Sequence, residues 1–219
     1  IVNAGIHSSQ RCAVDLAAIN TQLRDCAPGE IVAWALGLRV PTIVTTSMGV
    51  NAAATLHAVA NIDPSVPVVW VDSGFNLRDT YVAAEQIEAQ LGLNLHVYTP
   101  RMTAERISAR LGGIPLPEDT DKHAWFTRAV KLEPFQRALA ALRPQVWISG
   151  IRREETEHRK GLDIVSRDPR GLLKVAPFFY RSEAEVEAYV RRYGLPSCRH
   201  YFDPTKVAPG RECGLHLAS

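Results

Sequence analysis

Long apolar runs and a strong excess of charge are both missing from this sequence, and each absence excludes a class of protein. The apolar stretches are strand-sized and interrupted, far short of the roughly 20 residues that a membrane-spanning helix needs, so no membrane association is expected. The net charge is only +2, which provides no overall field for nucleic acid. The N-terminus lacks a basic region followed by an apolar run, and we expect a cytoplasmic protein.

Cysteine is scarce as well, and no two cysteines are close together in the sequence. Cys12, Cys26, Cys198 and Cys213 form no C-x-x-C motif, a spacing that suggests neither a zinc site nor a dense disulfide framework. We therefore expect reduced thiols and no metal site. A buried small hydrophobic side chain is the ordinary role of such a cysteine. Only Cys213 has a sequence context that changes this expectation.

The hydrophobic pattern alternates between the periods of strands and helices. The β-branched segment Pro41–Thr46 predicts a buried strand, and the turn Ser47–Gly49 leads into an Ala-rich helix over Val50–Ala60. Val66–Val71 predicts a second strand of the same kind. Strands that alternate with helices in this way predict an α/β fold with a doubly wound parallel sheet.

The rest of the chain continues this alternation up to an irregular tail. We place a nucleotide-binding α/β domain at residues 1–195 and a C-terminal tail, which carries Cys213, at residues 196–219. The further predicted elements are helices over 10–24, 30–38, 80–91, 124–142 and 182–193, strands over 93–98, 146–150 and 172–179, and a loop over 112–121. In the last helix, Ser182 and Glu185 predict an N-terminal capping box.

Two turns after predicted strands are candidates for binding an anionic nucleotide. Ser47, Met48 and Gly49 lie where a strand gives way to a helix N-terminus, whose free N–H groups favour an anion. The turn is neither a Walker A loop nor a dinucleotide fingerprint. Asp72, Ser73 and Gly74 close the neighbouring strand. The two turns are expected to face one crevice, although many α/β proteins have such corners without a ligand.

Cationic side chains and one thiol complete the set of candidates. Arg152 and Arg153 follow a predicted strand and offer forked donors for phosphate or sulfate, while Lys131 lies in a predicted helix; each alone is also typical of a solvated surface. Arg211 and His216 flank Cys213 at the end of the chain. Nearby cationic groups lower the pKa of a thiol and raise its reactive fraction, so Cys213 is the candidate nucleophile.

In five motifs the chain resembles the sulfonucleotide reductases, the phosphoadenylyl sulfate and adenylyl sulfate reductases. The resemblance runs from about residue 24 to residue 216, and its last motif is highly specific. The motifs are Thr46-Ser47-Met48-Gly49, Val71-Asp72-Ser73-Gly74-Phe75, Lys131-Leu132-Glu133-Pro134, Gly150-Ile151-Arg152-Arg153-Glu154-Glu155 and Glu212-Cys213-Gly214-Leu215-His216.

The resemblance implies a Rossmann-like fold related to the adenine nucleotide alpha hydrolases, with residues 47–49 as a modified phosphate loop. It implies that the Cys213 thiolate attacks the sulfur of the nucleotide, and that thioredoxin or glutaredoxin then releases sulfite from the S-sulfocysteine. Lys131, Arg152 or Arg153, and His216 are expected to offset the negative charge on the sulfuryl group. Residues 72–74 are expected to recognise the nucleoside, and at least a homodimer is expected.

Two departures from the family pattern refine these expectations. Members with an iron–sulfur cluster carry a Cys-Cys pair where this chain has Phe126-Thr127, and a C-x-x-C motif that is missing from this tail, so no cluster is expected. Cluster-free members generally use the 3′-phosphorylated nucleotide, and a basic segment is available for its extra phosphate. That segment contains Arg159, Lys160, Arg167, Arg170 and Lys174. The tail is also shorter than usual before Cys213, in the stretch where the family makes substrate and partner contacts.

Three other functions remain open at this stage. One is a cluster-free reductase of unphosphorylated adenylyl sulfate. Another is an ATP-dependent adenylating enzyme of the same superfamily, although its usual Ser-Gly-Gly-x-Asp/Ser loop is replaced here by Ser47-Met48-Gly49-Val50-Asn51. The third is a non-catalytic nucleotide-binding module, which would leave Cys213 without a role.

Overall fold

Short apolar segments rich in β-branched residues form one central six-stranded sheet. The computed structural model describes residues 15–206 and Leu215. The strands are β1 (Thr42–Thr46), β2 (Val68–Val71), β3 (Leu95–Tyr98), β4 (Val146–Ile148), β5 (Val165–Arg167) and β6 (Leu173–Val175). Val, Ile and Thr suit these positions because their branched side chains pack well on a pleated surface.

Helices connect the strands and cover the sheet. In chain order they are α1 (Leu16–Leu23), α2 (Pro28–Gly37), α3 (Ala52–Ala60), α4 (Arg78–Leu91), α5 (Ala104–Leu111), α6 (Thr120–Thr127), α7 (Glu133–Leu142), α8 (Glu157–Lys160) and α9 (Glu183–Arg192). A π-helical turn, Arg128–Leu132, joins α6 to α7, and a 3₁₀ turn, Arg153–Glu155, precedes α8.

The strand order is β3-β2-β1-β4-β6-β5, with all pairs parallel except β5 with β6. The chain runs outward from β1 through β2 to β3 and then returns to the other side of β1 as β4. The topological switch point therefore lies between β1 and β4, which is where doubly wound sheets bind their ligands. The predicted α/β fold with a doubly wound, mainly parallel sheet is confirmed.

The strands alternate their side chains between two hydrophobic clusters, one on each face of the sheet. Val44, Val68 and Ile148 belong to the larger cluster, which also contains apolar residues of α2, α3 and α9. Ile43, Val69 and Trp147 belong to the other cluster. That second cluster is completed by Phe135 and Ala138 of α7 and by Leu215. Because both faces are covered, the strands β2 and β4 read as continuous apolar runs in the sequence.

Helix bounds follow from local chemistry at several points. In α4 the buried residues Thr80, Ala83, Ala84 and Ile87 recur at the spacing of one helix face. Helix α9 begins where the Ser182 side chain accepts a hydrogen bond from the Glu185 N–H, and the Glu185 carboxylate accepts one from the Ser182 N–H. This confirms the predicted capping box. Within the described residues, no helix combines the length and apolar character needed to cross a bilayer.

The structure also departs from several sequence-based expectations. The region 112–121 was predicted as a loop, but α6 already begins at Thr120, and the expected single helix over 124–142 is interrupted by the π-helical turn. Helix α5 and the antiparallel strand β5 were not predicted. Residues 196–206 of the predicted tail contain no helix or strand, and Leu215 is the other described residue of that tail. The proposed boundary between domain and tail stays a prediction.

Candidate functional site

A cleft of about 410 Å³ lies at the switch point, at the carboxyl ends of β1 and β4. One wall comes from the loop after β1, which includes Ser47 and Gly49, and the opposite wall from the loop after β4, which includes Gly150 and Arg152. Residues after β2, the π-helical turn and the tail segment 201–206 close the remaining sides. Such a position suits a nucleotide because strand ends and helix N-termini present free N–H groups to an anion.

The loop after β1 is shaped by an unusual backbone conformation. Met48 has φ +52°, although it is not glycine, and its side chain is fully buried in the core. Its N–H donates a hydrogen bond to the Thr46 hydroxyl at 3.0 Å. A residue in this region of φ is strained, and such strain is held where the surrounding structure fixes the loop. Met48 therefore anchors the loop in the core, while its neighbours Ser47 and Gly49 line the cleft.

Of the predicted residues Asp72, Ser73 and Gly74, only Ser73 lines the cleft. Asp72 instead organises the turn: its Oδ1 accepts hydrogen bonds from the Gly74 N–H (2.9 Å), the Asn76 amide (2.8 Å) and the Tyr81 hydroxyl (2.9 Å). Burial, together with the bond to Asp72, raises the pKa of Tyr81 to about 12, so this phenol stays protonated. Gly74 has φ +78°, which favours glycine.

Two arginines after β4 are buried within the cleft wall. Arg152 is 6% exposed and its guanidinium pairs with Glu154 and Glu183, with Glu155 at 3.6 Å. Arg159 is 4% exposed and pairs with Glu155. Arg153 differs from both because it is exposed and does not line the cleft. Buried guanidinium groups provide forked donors for phosphate or sulfate oxygens, here held in place by carboxylates.

Lys131 lies in the π-helical turn and projects into the cleft beside the tail. Its Nζ lies 2.5 Å from Asp203 Oδ2 and donates a hydrogen bond to the Thr205 hydroxyl at 3.2 Å. Burial works to raise the pKa of Asp203, but the charge and hydrogen bond of Lys131 and the hydrogen bonds from Thr205 outweigh it and lower that pKa. The Asp203 carboxylate is therefore ionised at neutral pH.

Of the predicted site residues, the structure brings Ser47, Gly49, Ser73, Lys131 and Arg152 together around one cleft. Met48, Asp72, Gly74 and Arg153 do not line it. Cys213, Arg211 and His216 lie outside the described residues. Leu215, which lies between Cys213 and His216 in the chain, is buried in the cluster under the cleft and lines it.

Most residues of the basic segment proposed to bind the extra phosphate do not line the cleft. Only Arg159 of that segment lines the cleft. Lys160, Arg167 and Arg170 are exposed, and Lys174 is buried with its Nζ 4.9 Å from the centre of the Trp147 ring. The candidate phosphate contact from this segment is therefore narrowed to Arg159.

Sequence reasoning missed several residues that line the cleft. Ser149, at the end of β4, has a buried hydroxyl oxygen with no hydrogen-bond partner within the described residues. Asn51 donates a hydrogen bond to Glu183 at 2.7 Å. The available signal for Ser149 was its position as a polar residue at the carboxyl end of the strand predicted over 146–150, which in the structure ends at Ile148. Other polar or charged residues line the cleft without having been predicted as binding residues, although Thr46 and Glu155 belong to the family motifs: Thr45, Thr46, Thr55, Asn76, Glu155, Glu183, Tyr201, Asp203, Thr205 and Lys206.

The described part of the chain contains no group of three or more His, Cys, Asp or Glu side chains arranged to hold a metal ion. Phe126, at the position where cluster-containing enzymes carry a cysteine, is instead fully buried in an apolar cluster with Ile107 and Val130. The expectation of an enzyme without an iron–sulfur cluster stays a prediction.

Comparison of the sequence with known proteins finds one family repeatedly. The family model described as the phosphoadenosine phosphosulfate reductase domain matches residues 41–204. A phosphoadenosine 5′-phosphosulfate reductase from Synechocystis sp. is 32% identical over 230 residues, covering 93% of this chain and 91% of its own. A protein of the same name from Vibrio campbellii is 34% identical over 224 residues, covering 92% and 86%.

Solved structures show the same fold. The phosphate complex of phosphoadenylyl-sulfate reductase from Candida auris superposes with a TM-score of 0.73 at 23% identity, covering 89% of this chain and 92% of its own. FMN adenylyltransferase from Candida glabrata, solved with ATP, has a TM-score of 0.56 at 11% identity and covers 83% and 57%. These likenesses concern the fold alone, but together with the sequence matches they lead to one assignment: the chain belongs to the phosphoadenosine phosphosulfate reductase family.

Proposed function

We propose that the protein reduces 3′-phosphoadenylyl sulfate to sulfite and adenosine 3′,5′-bisphosphate, with Cys213 as the nucleophile. One observation carries the proposal. Lys131, Arg152 and Arg159 line a cleft at the switch point, and Leu215, two residues after Cys213, lines the same cleft. Because two residues of extended chain span at most about 7 Å, this supports the proposal that the Cys213 thiol acts on an anion bound in the cleft. The family membership supports the same reaction.

In the first step, the Cys213 thiolate attacks the sulfur of the sulfonucleotide. A bond forms between the two sulfur atoms, the bond from that sulfur to the phosphate oxygen breaks, and adenosine 3′,5′-bisphosphate leaves with the bonding electron pair. In the second step, a dithiol protein such as thioredoxin or glutaredoxin supplies two electrons. Its thiols become a disulfide, the Cys213 thiol is restored, and hydrogen sulfite is released.

The charges of the cleft suit the first step, in which an anionic thiolate approaches an anionic sulfuryl group. Cationic groups at that point offset the repulsion, and they act more strongly where water is excluded. Arg152 and Arg159 are buried and held by carboxylates, so they are oriented before the substrate arrives. Arg211 and His216, which flank Cys213 in sequence, are proposed to lower its pKa and bind the same anion.

The remaining proposals rest on the family resemblance. We propose that the reductant is thioredoxin or glutaredoxin, that the enzyme carries no iron–sulfur cluster, and that it acts in the cytoplasm as at least a homodimer. The roles of Ser47 and Gly49 in binding phosphate, and of Ser73 in binding the nucleoside, are part of the same proposal. Their positions around the cleft support these roles.

The function is tested by mass spectrometry of protein incubated with 3′-phosphoadenylyl sulfate in the absence of any reductant. We expect one sulfo group per chain, located on the peptide that contains Cys213, because the second step cannot proceed without a dithiol. Addition of reduced thioredoxin is expected to remove the group and release an equal amount of sulfite. A protein that binds the nucleotide but never gains a sulfo group would exclude the proposed reaction.

The choice between the two sulfonucleotides gives a separate prediction. We expect kcat/KM to be higher for 3′-phosphoadenylyl sulfate by about tenfold to a hundredfold, the contribution of one shielded charge-assisted contact, here assigned to Arg159. Arg159→Ala is expected to reduce this ratio towards 1. Lys160→Ala is the matched control, because Lys160 is exposed and pairs with Glu157 outside the cleft. Equal kcat/KM values for both nucleotides in the unmodified protein would contradict this assignment.

A further inference from the structure

Asp203, Thr205 and Lys131 form a closed ring of polar contacts between the tail and the body of the protein. Lys131 Nζ contacts Asp203 Oδ2 at 2.5 Å and the Thr205 hydroxyl at 3.2 Å. The Thr205 hydroxyl in turn donates to Asp203 Oδ1 at 2.7 Å, and the Thr205 N–H donates to the same oxygen at 3.0 Å. We refer to these three residues as the tail latch.

The latch is shielded from water, so breaking it costs more than breaking an ion pair on the surface. The side chains of Lys131 and Asp203 are only 12% and 8% exposed, and Thr205 is 3% exposed. Charged pairs in such surroundings are screened little by salt, and losing one partner leaves the other charge buried without its counter-charge. The two residues are 72 positions apart in the chain, so the contact fixes the tail rather than a local turn.

A second contact holds the same segment against the opposite side of the cleft. A Cβ atom added at Gly49 would lie 3.2 Å from atoms of the Tyr201 ring, so this ring packs directly on the backbone of the loop after β1. Segment 201–206 therefore touches both the π-helical turn that carries Lys131 and the loop that carries Ser47. It spans the cleft between two of the candidate binding elements.

The chain is thus anchored on both sides of Cys213. The latch fixes it before that residue, and the buried Leu215 fixes it after. Anchoring both ends of a short segment restricts where its middle can go and raises the effective concentration of a reacting group at one place. Such restriction is expected to raise the rate of sulfur transfer, because the attack requires the thiol to lie close to the sulfur of the sulfonucleotide and in line with it.

We propose that Asp203 is a positioning residue for sulfur transfer: by holding Lys131 and Thr205 it fastens the tail across the cleft and places Cys213 for attack. This inference rests on the proposed function. It assigns to Lys131 a second role, as the anchor of the tail, besides that of a cation facing the substrate. It also gives the shortened tail a specific means of attachment.

The test compares the wild-type protein with Asp203→Asn, which keeps the size of the side chain but removes its charge. With saturating 3′-phosphoadenylyl sulfate and no reductant, we expect the rate of sulfo-group formation on Cys213 to fall by about tenfold to a hundredfold, because misplacement by about 1 Å can cost a factor of that order. Asp203→Glu, which restores the carboxylate, is expected to recover part of the rate. The dissociation constant of adenosine 3′,5′-bisphosphate is expected to rise by no more than about twofold, because Lys131 keeps its charge.

A readout that does not depend on activity separates positioning from a general loss of structure. In the ligand-free protein, Asp203→Asn is expected to accelerate alkylation of Cys213 by iodoacetamide severalfold, while alkylation of the half-buried Cys26 stays unchanged. Asp119→Asn is the matched control, because Asp119 forms an exposed pair with Lys122 away from the cleft. It should change neither rate.

The possible failures are distinguishable. If the wild-type protein itself gains no sulfo group on Cys213, the proposed function is wrong. If the wild type gains the group and Asp203→Asn gains it equally fast, the tail latch alone is overturned. The latch is also overturned if Asp203→Asn is slow but Cys213 and Cys26 are alkylated at wild-type rates, or if both are alkylated faster in proportion to a lower melting temperature.

Discussion

Replacing Cys213 with serine is expected to abolish sulfite release, with a loss of turnover on the order of 10³-fold or more. A serine hydroxyl is not ionised at neutral pH, and it cannot form the bond between two sulfur atoms that the reaction requires. The measurement is steady-state sulfite formation from 3′-phosphoadenylyl sulfate with saturating reduced thioredoxin. Retention of more than a few per cent of wild-type turnover would contradict the role of Cys213.

Nucleotide binding by Cys213→Ser is expected to stay close to the wild-type level. The change replaces only the thiol: Ser47 and Arg152, which line the cleft, and the flanking Arg211 and His216 are all retained. Calorimetric titration with adenosine 3′,5′-bisphosphate measures this directly. Cys26→Ser is the matched control, because Cys26 is half-buried near α1 and does not line the cleft. It should retain both turnover and binding.

The positions of the cleft walls could be predicted from sequence because they depend on local pattern and on general rules of topology. Thr42–Thr46 is a short apolar strand followed by small residues and an Ala-rich helix, a pattern that specifies a strand, a turn and a helix. Connections in parallel sheets are short and right-handed, so the turns after the strands gather at one edge. Ser47 and Ser73 were identified in this way.

The residues that complete the cleft could not be predicted in the same manner because their contacts are distant in sequence. Glu183 in the first turn of α9 pairs with Arg152, and Asp203 in the tail pairs with Lys131. Each looks like an ordinary surface carboxylate, and nothing in its local pattern names the partner. Met48 is a further example: its motif predicts ligand contact, and nothing in the local pattern indicates the positive φ and the full burial of its side chain that the structure shows.

The difference between Arg152 and Arg153 was also invisible in the sequence, because two adjacent arginines have the same local chemistry. The structure separates them by backbone geometry. Arg152 has an extended backbone and ends the loop that follows β4. Its side chain lies in the cleft wall, and the residue is 6% exposed. Arg153 begins the 3₁₀ turn, and although its N–H donates to the Phe179 carbonyl at 2.9 Å, the residue is exposed.

Arg152→Ala is therefore expected to lower kcat/KM for 3′-phosphoadenylyl sulfate by about 10²-fold to 10³-fold, whereas Arg153→Ala changes it by no more than about twofold. The first change removes a cation from the cleft and leaves Glu154 and Glu183 without their counter-charge, while Glu155 keeps Arg159, so the cleft repels the incoming anion. The kcat/KM of Arg152→Lys is expected to lie between those of Arg152→Ala and Arg153→Ala, because lysine keeps the charge but lacks the forked donors. The measurement is kcat/KM for the three variants with saturating reduced thioredoxin.

Stability must be measured beside these rates, since Arg152 also holds the cleft together. Breaking a buried ion pair costs roughly 3–5 kcal/mol, and we expect a value at or below the lower end because the three carboxylates are 35–50% exposed and water can solvate them. Arg152→Lys keeps the assay informative if Arg152→Ala folds poorly. A loss of kcat/KM in Arg153→Ala as large as that in Arg152→Ala, with both proteins folded, would show that the buried arginine is not the group that binds the substrate.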